Sequence, residues 1–248
     1  MIYFIGAGPG AVDLITIRGM ELLKKADLVI YAGSLVNPEL LQFCKETCQT
    51  LNSASMTLEA VIAEMTARPR EQIIVRLHTG DGSIYGAIRE QMDALDQLGV
   101  DYQVVPGVSS MNAAASALQA EYTLPAVSQT VIISRMAGRT PVPEKENIAS
   151  LAAHQASMVL FLSAGMLEQL CSELIRGGYP SDTPAAIVYK ASWPDQEIIR
   201  GTLQTLPEKA GHIHKTALIL AGDFLSTQFE RSRLYDPAFF HEFRKAEK

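Results

Sequence analysis

The stretch YFIGAGPGAVDLITIRG, residues 3–19, sets the fold of the region that follows it. A short apolar run stops at a glycine-rich turn, and a pattern typical of a helix comes next. Gly6, Gly8 and Ala11 fit the G-x-G-x-x-G/A spacing of dinucleotide-binding loops. The stretch is therefore a candidate nucleotide site, and the residues around it decide between ligands.

Those residues argue against a nicotinamide or a flavin. A dinucleotide site needs an acidic residue about 20 positions further on, which holds a ribose hydroxyl. Here the second apolar strand ends in Tyr31, Ala32 and Gly33, and Asp27 comes before that strand. Pro9 also removes an N–H that a phosphate could use. A nicotinamide oxidoreductase is the last of the alternatives. Even a plain glycine turn lies at the carboxyl end of a strand, where ligands bind in open α/β sheets.

Strand and helix patterns alternate through the first half of the chain. Residues 2–6 predict a buried strand, and residues 14–26 predict a helix that Asp13 would cap. Strict alternation implies a mostly parallel sheet. The pattern restarts after a boundary near residues 115–125, and the second half is richer in strand patterns.

The fold class is therefore α/β, with two α/β domains. At 248 residues the chain is long enough for two domains of ordinary size. We predict an N-terminal domain over residues 1–118, a C-terminal domain over residues 119–225, and a loosely ordered tail over residues 226–248.

Composition narrows the function classes. A formal charge of −6 argues against a bulk nucleic-acid binder, which has a basic field. The chain has three cysteines, an odd and sparse set typical of reduced thiols in a cytoplasmic protein. Met1 leads directly into an apolar strand, so no signal peptide is expected, and no apolar run reaches the roughly 20 residues of a membrane span.

The sequence predicts no metal site. Cys44 and Cys48 are four residues apart, but no second pair of ligands follows at the spacing of zinc sites. Their spacing predicts instead one buried face of a helix.

Two more loops rich in small residues follow predicted strands. VRLHTGDGSIYGA, residues 75–87, places Gly80 and Asp81 at the end of one strand, and VVPGVSSMNAAAS, residues 104–116, places Ser109 at the end of another. Small residues let a ligand approach the backbone closely. Each loop alone is most simply a turn with capping residues. Three such loops at strand ends in one domain indicate a cleft.

Taken together, the three loops resemble those of the tetrapyrrole methylase family. GAGPGAVDLITIRG, RLHTGDGSIYGA and VVPGVSS occur in the family's order and spacing, and the resemblance covers residues 1–225. It implies S-adenosylmethionine (SAM) as methyl donor, a homodimer, and two α/β domains with a ligand cleft between them, unlike Rossmann methyltransferases. One departure is Gly82, where relatives often have proline.

Three further stretches are similar to the branch of this family that acts on precorrin-4 in cobalamin biosynthesis. They are YAGSLVNPELL, SRMAGRTPVPE and VYKASWPDQEIIRGTL, residues 31–41, 134–144 and 188–203. The resemblance implies methyl transfer to ring carbon C-11 of precorrin-4 or cobalt-precorrin-4. We favour the cobalt-containing substrate; any cobalt would belong to the substrate.

Several alternatives stay open at this point. One is another tetrapyrrole methylase that acts at a different ring carbon. Relatives of the fold also methylate ribosomal RNA or act in diphthamide synthesis. A non-catalytic protein that binds SAM or a tetrapyrrole is the alternative from another class.

The resemblance also implies a set of SAM contacts, position by position. They are Pro9, Thr79, Gly80, Asp81, Ile84, Ser109, Ser110, Leu162 and Ala191. Of these side chains, Asp81 would hold the polar end of SAM.

The tetrapyrrole carries acetate and propionate groups, so an acidic protein needs local cations to bind it. Arginine binds carboxylates through paired hydrogen bonds. The predicted substrate-binding residues are Arg135, Arg139, Lys190 and Trp193, with Arg18 and Arg76 as further cations. Trp193 either packs on the macrocycle or anchors a turn.

The candidates for acid–base chemistry are Asp81, Tyr85 and His78, with Tyr31 as a further tyrosine. Histidine and tyrosine at a strand end are more often structural hydrogen-bond donors. Methylation of an electron-rich carbon needs no dedicated base.

Overall fold

The chain folds into two compact units, each built around one β-sheet. The computed structural model describes residues 1–33, 35–226, 228–240, 242 and 244. Part of the tail predicted over residues 226–248 lies outside the described residues. The first unit consists of Met1–Ala113 and Lys190–Gln196, and the second of Ala114–Tyr189 and Glu197–Lys248.

The sheet of the first unit is parallel throughout. Its strands are β1 (Ile2–Gly6), β2 (Leu28–Tyr31), β3 (Gln49–Asn52), β4 (Ile74–His78) and β5 (Tyr102–Val105). They lie in the order β3-β2-β4-β1-β5, and each neighbouring pair runs in the same direction. The parallel sheet predicted from the alternating pattern is confirmed.

Both faces of this sheet are buried, as in most parallel sheets. Val75 and Leu77 pack in one apolar cluster, and Ile74 packs in another on the opposite face. The helices in this part of the chain are α1 (Ile17–Lys25), α2 (Leu58–Thr66), α3 (Arg89–Gln97) and α4 (Ser110–Leu118).

Helix α1 begins three residues later than the sequence predicts, and its cap is a different residue. Thr16 Oγ1 accepts a hydrogen bond from the Gly19 N–H at 3.1 Å. Asp13 lies instead in a short 3₁₀ turn, Val12–Leu14, which ends at the extended residue Ile15. The prediction that Asp13 caps the helix is wrong because this turn and an extended residue come between them.

Replacing Thr16 with alanine is expected to lower the free energy of unfolding by about 1 kcal/mol, since the Gly19 N–H loses its acceptor. Asp13→Ala removes no capping bond, so its expected change is within about 0.5 kcal/mol. Urea unfolding of both variants measures the difference. Equal losses would contradict the assignment of the cap.

The sheet of the second unit is mixed. Its strands are β6 (Val131–Arg135), β7 (Ser157–Phe161), β8 (Pro184–Tyr189), β9 (Glu197–Thr202) and β10 (Ala217–Ala221). They lie in the order β6-β7-β10-β8-β9. Only β6 and β7 pair in parallel; the other neighbours are antiparallel. The helices of this unit are α5 (Ile148–Ala152), α6 (Leu167–Arg176) and α7 (Leu206–Ala210).

Among the described residues each sheet has five strands, so the second half is not richer in strands than the first. The sequence prediction missed β3, because this strand has no apolar pattern, and so it underestimated the number of strands in the first half. Its four residues, Gln49–Asn52, lie at the sheet edge and are mostly exposed.

The two neighbouring cysteines do not share a helix face. Cys44 follows the 3₁₀ helix Pro38–Phe43 as its C-cap, and Cys48 immediately precedes β3. Both side chains are half-buried. The helical prediction was wrong because the 3₁₀ helix ends before Cys44.

Over the described part of the chain, no helix combines the length and apolarity that crossing a membrane requires.

Candidate active site

The three loops predicted from the sequence lie together at the carboxyl ends of the strands of the first sheet. We call Ala7–Ala11 the first loop, Thr79–Ile84 the second loop and Pro106–Ser110 the third loop; they follow β1, β4 and β5. These three strands are neighbours, so their carboxyl ends lie side by side. The Gly8 N–H donates to Gly80 O at 3.2 Å, and the Gly80 N–H donates back to Gly8 O at 2.8 Å.

Glycine is required here by the close approach of backbones. A Cβ atom on Gly6 would lie 2.6 Å from both Gly80 O and Gly107 Cα, and one on Gly107 would lie 2.2 Å from Gly80 O. Real Cβ contacts are not this short, so any side chain would push the loops apart. The spacing that resembles a dinucleotide motif therefore serves the packing of one loop on another.

The carboxylate of Asp81 ties the second loop to the third. One oxygen accepts from the backbone N–H of Ser83 at 2.8 Å and also from the Ser83 hydroxyl. The other accepts from the Gly107 N–H at 2.7 Å. Burial raises the pKa of Asp81, but the hydrogen bonds from Ser83 and Gly107 outweigh it and hold the pKa below its usual value. The ionised carboxylate is thus a fixed part of the site.

Thr79 carries a polar atom that a ligand can use. Its Oγ1 is buried and has no hydrogen-bond partner among the described residues. A buried polar atom without a partner is uncommon and needs an explanation, such as a ligand. The nearby loop residues are small: Gly80 at φ +62° has no side chain, and Ser109, directly before α4, is buried. This arrangement fits a ligand bound largely through backbone groups.

The other predicted SAM contacts fall in several places. Pro9 is buried in the first loop, Ile84 is half-buried at the end of the second, and Ser110 begins α4. Ala191 is buried in the segment Lys190–Gln196, which belongs to the first unit.

Leu162 lies in the second unit, directly after β7. Its side chain is 65% exposed and its φ of +52° is rare for a leucine. The next residue, Ser163, is fully buried; its hydroxyl donates to Phe161 O at 2.7 Å and accepts from the Met136 N–H at 2.9 Å. Ser163 therefore fixes the backbone on both sides of Leu162, a role that no sequence pattern indicated.

His78 is a buried, neutral side chain. It stacks on Phe4 with ring centroids 6.1 Å apart, and its Nε2 has no partner among the described residues. Burial, and to a lesser extent the charge of Arg76, lowers the pKa of His78 to about 3. It therefore carries no transferable proton as an imidazolium at neutral pH. Tyr85 is 46% exposed, and Tyr31 is half-buried at the end of β2.

The lowered pKa of His78 predicts how stability depends on pH. The unfolded chain binds a proton below about pH 6.5 that the folded chain takes up only near pH 3, so stability falls as pH falls through this window. Between pH 7 and 5.5 the expected loss is about 1 kcal/mol. Urea unfolding at both pH values should show this loss, and His78→Phe, which keeps a ring on Phe4, should remove it. The exposed His154→Gln is the control; an equal effect in both variants would contradict the prediction.

Arg76 is a buried cation inside the sheet. Its Nε donates to Gln91 Oε1 at 3.0 Å and its Nη1 to Ile30 O at 3.2 Å. Burial lowers the pKa of Arg76 to about 10. Its N–H groups therefore bond to atoms of the protein interior. Arg18, another predicted cation, is exposed on α1.

The two arginines of the predicted substrate loop have different environments. The guanidinium of Arg135 donates to the carbonyl oxygens of Met136, Thr140 and Pro141 at 3.2, 3.1 and 2.8 Å. It holds the loop that follows β6 in shape. Arg139 is exposed within that loop.

The segment Lys190–Gln196 lies against the first loop. The Trp193 Nε1–H donates to Pro9 O at 3.1 Å. Lys190 Nζ pairs with Asp195 at 2.5 Å and lies 5.6 Å from the centroid of the Trp193 ring. Trp193 therefore anchors a turn, which is one of the two roles predicted for it. Its contact with a macrocycle stays a prediction.

The chain has two α/β units, with glycine-rich loops at the carboxyl ends of strands in the first sheet. A profile of the Tetrapyrrole (Corrin/Porphyrin) Methylases matches residues 1–207, and the chain belongs to this family. The fold and family predicted from the sequence are confirmed.

Individual relatives show which members of the family this chain is similar to. The chain is 50% identical to a cobalt-precorrin-4 C(11)-methyltransferase of Methanocaldococcus jannaschii, over 100% of this chain and 97% of the relative. It is 42% identical to a precorrin-4 C(11)-methyltransferase of Sinorhizobium sp, over 98% of each.

A solved structure has a similar fold over most of both chains. The X-ray structure of a cobalamin biosynthetic enzyme, cobalt precorrin-4 methyltransferase CbiF, aligns with a TM-score of 0.88 at 47% identity. The alignment covers 91% of this chain and 95% of that one.

Proposed function

We propose that this protein transfers a methyl group from SAM to C-11 of cobalt-precorrin-4 in cobalamin biosynthesis. The observation that carries the proposal is the full-length similarity to cobalt-precorrin-4 C(11)-methyltransferase, at 50% identity. A relative named precorrin-4 C(11)-methyltransferase is less similar, at 42%. This difference supports the cobalt-containing substrate.

The residues at the edge of the first sheet fit SAM. Bound SAM supplies a methyl group that its sulfonium already activates. Thr79 Oγ1 has no hydrogen-bond partner in the described part of the chain and can therefore bond a polar group of the ligand. Gly80 leaves its backbone open to close approach, and Asp81 keeps the second and third loops together through Gly107.

The work of the chain is alignment rather than covalent catalysis. The ring carbon, the methyl group and the sulfur must lie in line, with water excluded. Loops whose backbones are fixed by Asp81 and by reciprocal hydrogen bonds between Gly8 and Gly80 provide such rigidity. Because SAM would supply an already activated methyl group, the protein would need no nucleophile of its own.

Arg139 is proposed to bind a carboxylate of the tetrapyrrole, because it is exposed while Arg135 is committed to three carbonyl groups. Arg139→Ala is expected to raise the KM for the tetrapyrrole about tenfold, the loss of one charge-assisted contact, without changing the melting temperature. Arg135→Ala should lower the melting temperature. An unchanged KM in Arg139→Ala would contradict this role.

Mass spectrometry tests the proposed reaction. The purified protein is incubated with SAM and cobalt-precorrin-4 without oxygen, and the product is expected to gain one methyl group. Methyl-labelled SAM and carbon NMR then place the methyl at C-11. Methylation of metal-free precorrin-4 alone would overturn the choice of substrate, and a methyl at another carbon would overturn the site of transfer.

We further propose that the protein is a homodimer, as the family resemblance implies, and that it is cytoplasmic. Cys44, Cys48 and Cys171 are all free, which suits a reducing compartment. Val104, on the edge strand β5, is 48% exposed, and such edges are commonly covered. Light scattering of the purified protein measures the oligomeric state; a monomer at micromolar concentration would contradict the dimer.

A further inference from the structure

Two side-chain groups of the segment Lys190–Gln196 hold the backbone of the first loop. The Trp193 Nε1–H donates to Pro9 O at 3.1 Å, and Ser192 Oγ accepts from the Ala11 N–H at 3.0 Å. These bonds join residues about 180 positions apart in the chain, and both ends belong to the first unit. A segment that follows β8 of the second sheet therefore fixes a loop that follows β1.

A third side chain holds the carbonyl group between these two. Asn37 is 7% exposed, and its Nδ2 donates to Gly10 O at 2.9 Å. Its Oδ1 accepts from the Glu39 N–H at 3.0 Å, which fixes the amide in one orientation. Three consecutive residues of the loop thus each have a backbone group bonded to a side chain from elsewhere.

The indole of Trp193 also explains the glycine at position 10. A Cβ atom there would lie 2.1 Å from both Cδ1 and Nε1 of the indole. The ring therefore lies directly on the Gly10 backbone. Loop and ring fit together only because residue 10 has no side chain.

The segment that carries Trp193 is itself held in an unusual conformation. Lys190 and Ser192 have φ angles of +45° and +71°, which residues with side chains rarely adopt. The turn is closed by the Trp193 N–H on Lys190 O at 2.9 Å and by the Ser192 N–H on Gln196 Oε1 at 2.8 Å. Backbone strain of this kind persists where the surroundings determine it, and it clusters at functional sites.

We propose that Trp193, Ser192 and Asn37 are positioning residues that hold the first loop in the shape that binds SAM. They act through the loop backbone and need no contact with SAM themselves. The inference rests on the proposed function and on the SAM contact that the family resemblance implies for Pro9. Its consequence is that SAM affinity depends on the segment Lys190–Gln196.

The test separates positioning from stability. Trp193→Phe keeps a ring on Gly10 but removes the bond to Pro9, and Ser192→Ala removes the bond to Ala11. Each variant is expected to weaken SAM binding about fivefold in calorimetric titration, the effect of one hydrogen bond. The KM for SAM should rise with it, while kcat changes less. The control is Thr57→Ala, which removes a hydrogen bond at the start of α2. It should lower the melting temperature and leave SAM affinity unchanged.

The Gly10–Trp193 pair gives a sharper test. Gly10→Ala should weaken SAM binding by about 30-fold or more, because the new methyl group meets the indole. Adding Trp193→Ala removes the obstacle, so the double variant should bind SAM more tightly than Gly10→Ala alone, a coupling that independent sites do not show. Wild-type SAM affinity in Gly10→Ala, or in both Trp193→Phe and Ser192→Ala, would overturn the proposal.

Amide hydrogen exchange distinguishes this proposal from the proposed function. It needs no ligand, and Ser192→Ala is expected to speed exchange of the Ala11 N–H at least tenfold, since its acceptor is gone. If the wild-type protein fails to bind SAM, the proposed function fails. Even then, faster exchange at Ala11 in the Ser192→Ala variant would support the proposal that Ser192 fixes the first loop. Unchanged exchange would overturn that proposal.

Discussion

A Gly6→Ala variant is expected to lose SAM binding and about 3 kcal/mol of stability, the upper range for overpacking. The new methyl group would lie 2.6 Å from Gly107 Cα, Gly107 N and Gly80 O. All three are backbone atoms of loops fixed to the sheet, so none can rotate aside. The loops must separate, which breaks the surface that SAM is proposed to use.

Urea unfolding and calorimetric titration with SAM measure both effects. The matched control is Gly138→Ala, in a loop of the second unit, where the nearest atom is the flexible Met166 Cε at 3.5 Å. Its stability should change by no more than about 0.5 kcal/mol. Equal stability of the two variants would contradict the close approach of the three loops.

Replacing Asp81 with alanine is expected to weaken SAM binding about 30-fold, or about 2 kcal/mol. The N–H groups of Gly107 and Ser83 would lose an ionised acceptor, and the second and third loops would lose their link. Calorimetric titration measures the loss. SAM affinity equal to that of the wild type would contradict both the link and the proposed contact.

Two variants refine the role of Asp81. Asp81→Asn keeps one acceptor oxygen in place of two, so its affinity should lie between alanine and wild type. Ser83→Ala removes a single hydroxyl donor and should have the smallest effect.

The pKa of Asp81 gives the expected pH dependence. Because folding lowers it from the usual 3.8, the stabilising effect of the carboxylate is complete above that value and is lost only as pH falls through the lower, folded pKa. The contribution of Asp81 to SAM binding should therefore be constant from pH 8 to 5. A change within that range that Asp81→Asn abolishes would contradict the assignment.

Apolar runs that end in glycine predicted the strands of the first sheet well, because burial on both faces demands a continuous apolar sequence. The same rule missed β3, whose edge position allows polar residues. The start of α1 was misplaced for a local reason. Asp13 and Thr16 are both capping residue types, and only the extended backbone at Ile15 decides between them.

The sequence predicted where the candidate site lies better than it predicted the role of each residue there. Parallel strands bring their carboxyl ends to one side of the sheet, so the sequence predicted that the loops carrying Gly8 and Gly80 would line one cleft. Which oxygen of Asp81 meets Gly107 depends on loop paths that no local pattern encodes. Likewise, Arg135 and Arg139 are alike in sequence, and only the carbonyl groups around Arg135 distinguish them.

By itself, the sequence determined the two α/β domains, the parallel first sheet, the loops rich in small residues at its edge and the family. The domains, the sheet and the loops follow from residues close together in the chain, whose apolar periodicity and glycines act locally. The family was identified by the resemblance of the three loops to those of its members. Only the tertiary structure decided that Lys190–Gln196 joins the first unit and that Trp193 lies on Gly10. Trp193 and its acceptor Pro9 are 184 residues apart, and a contact over that separation is fixed by the path of the whole chain rather than by any pattern along it.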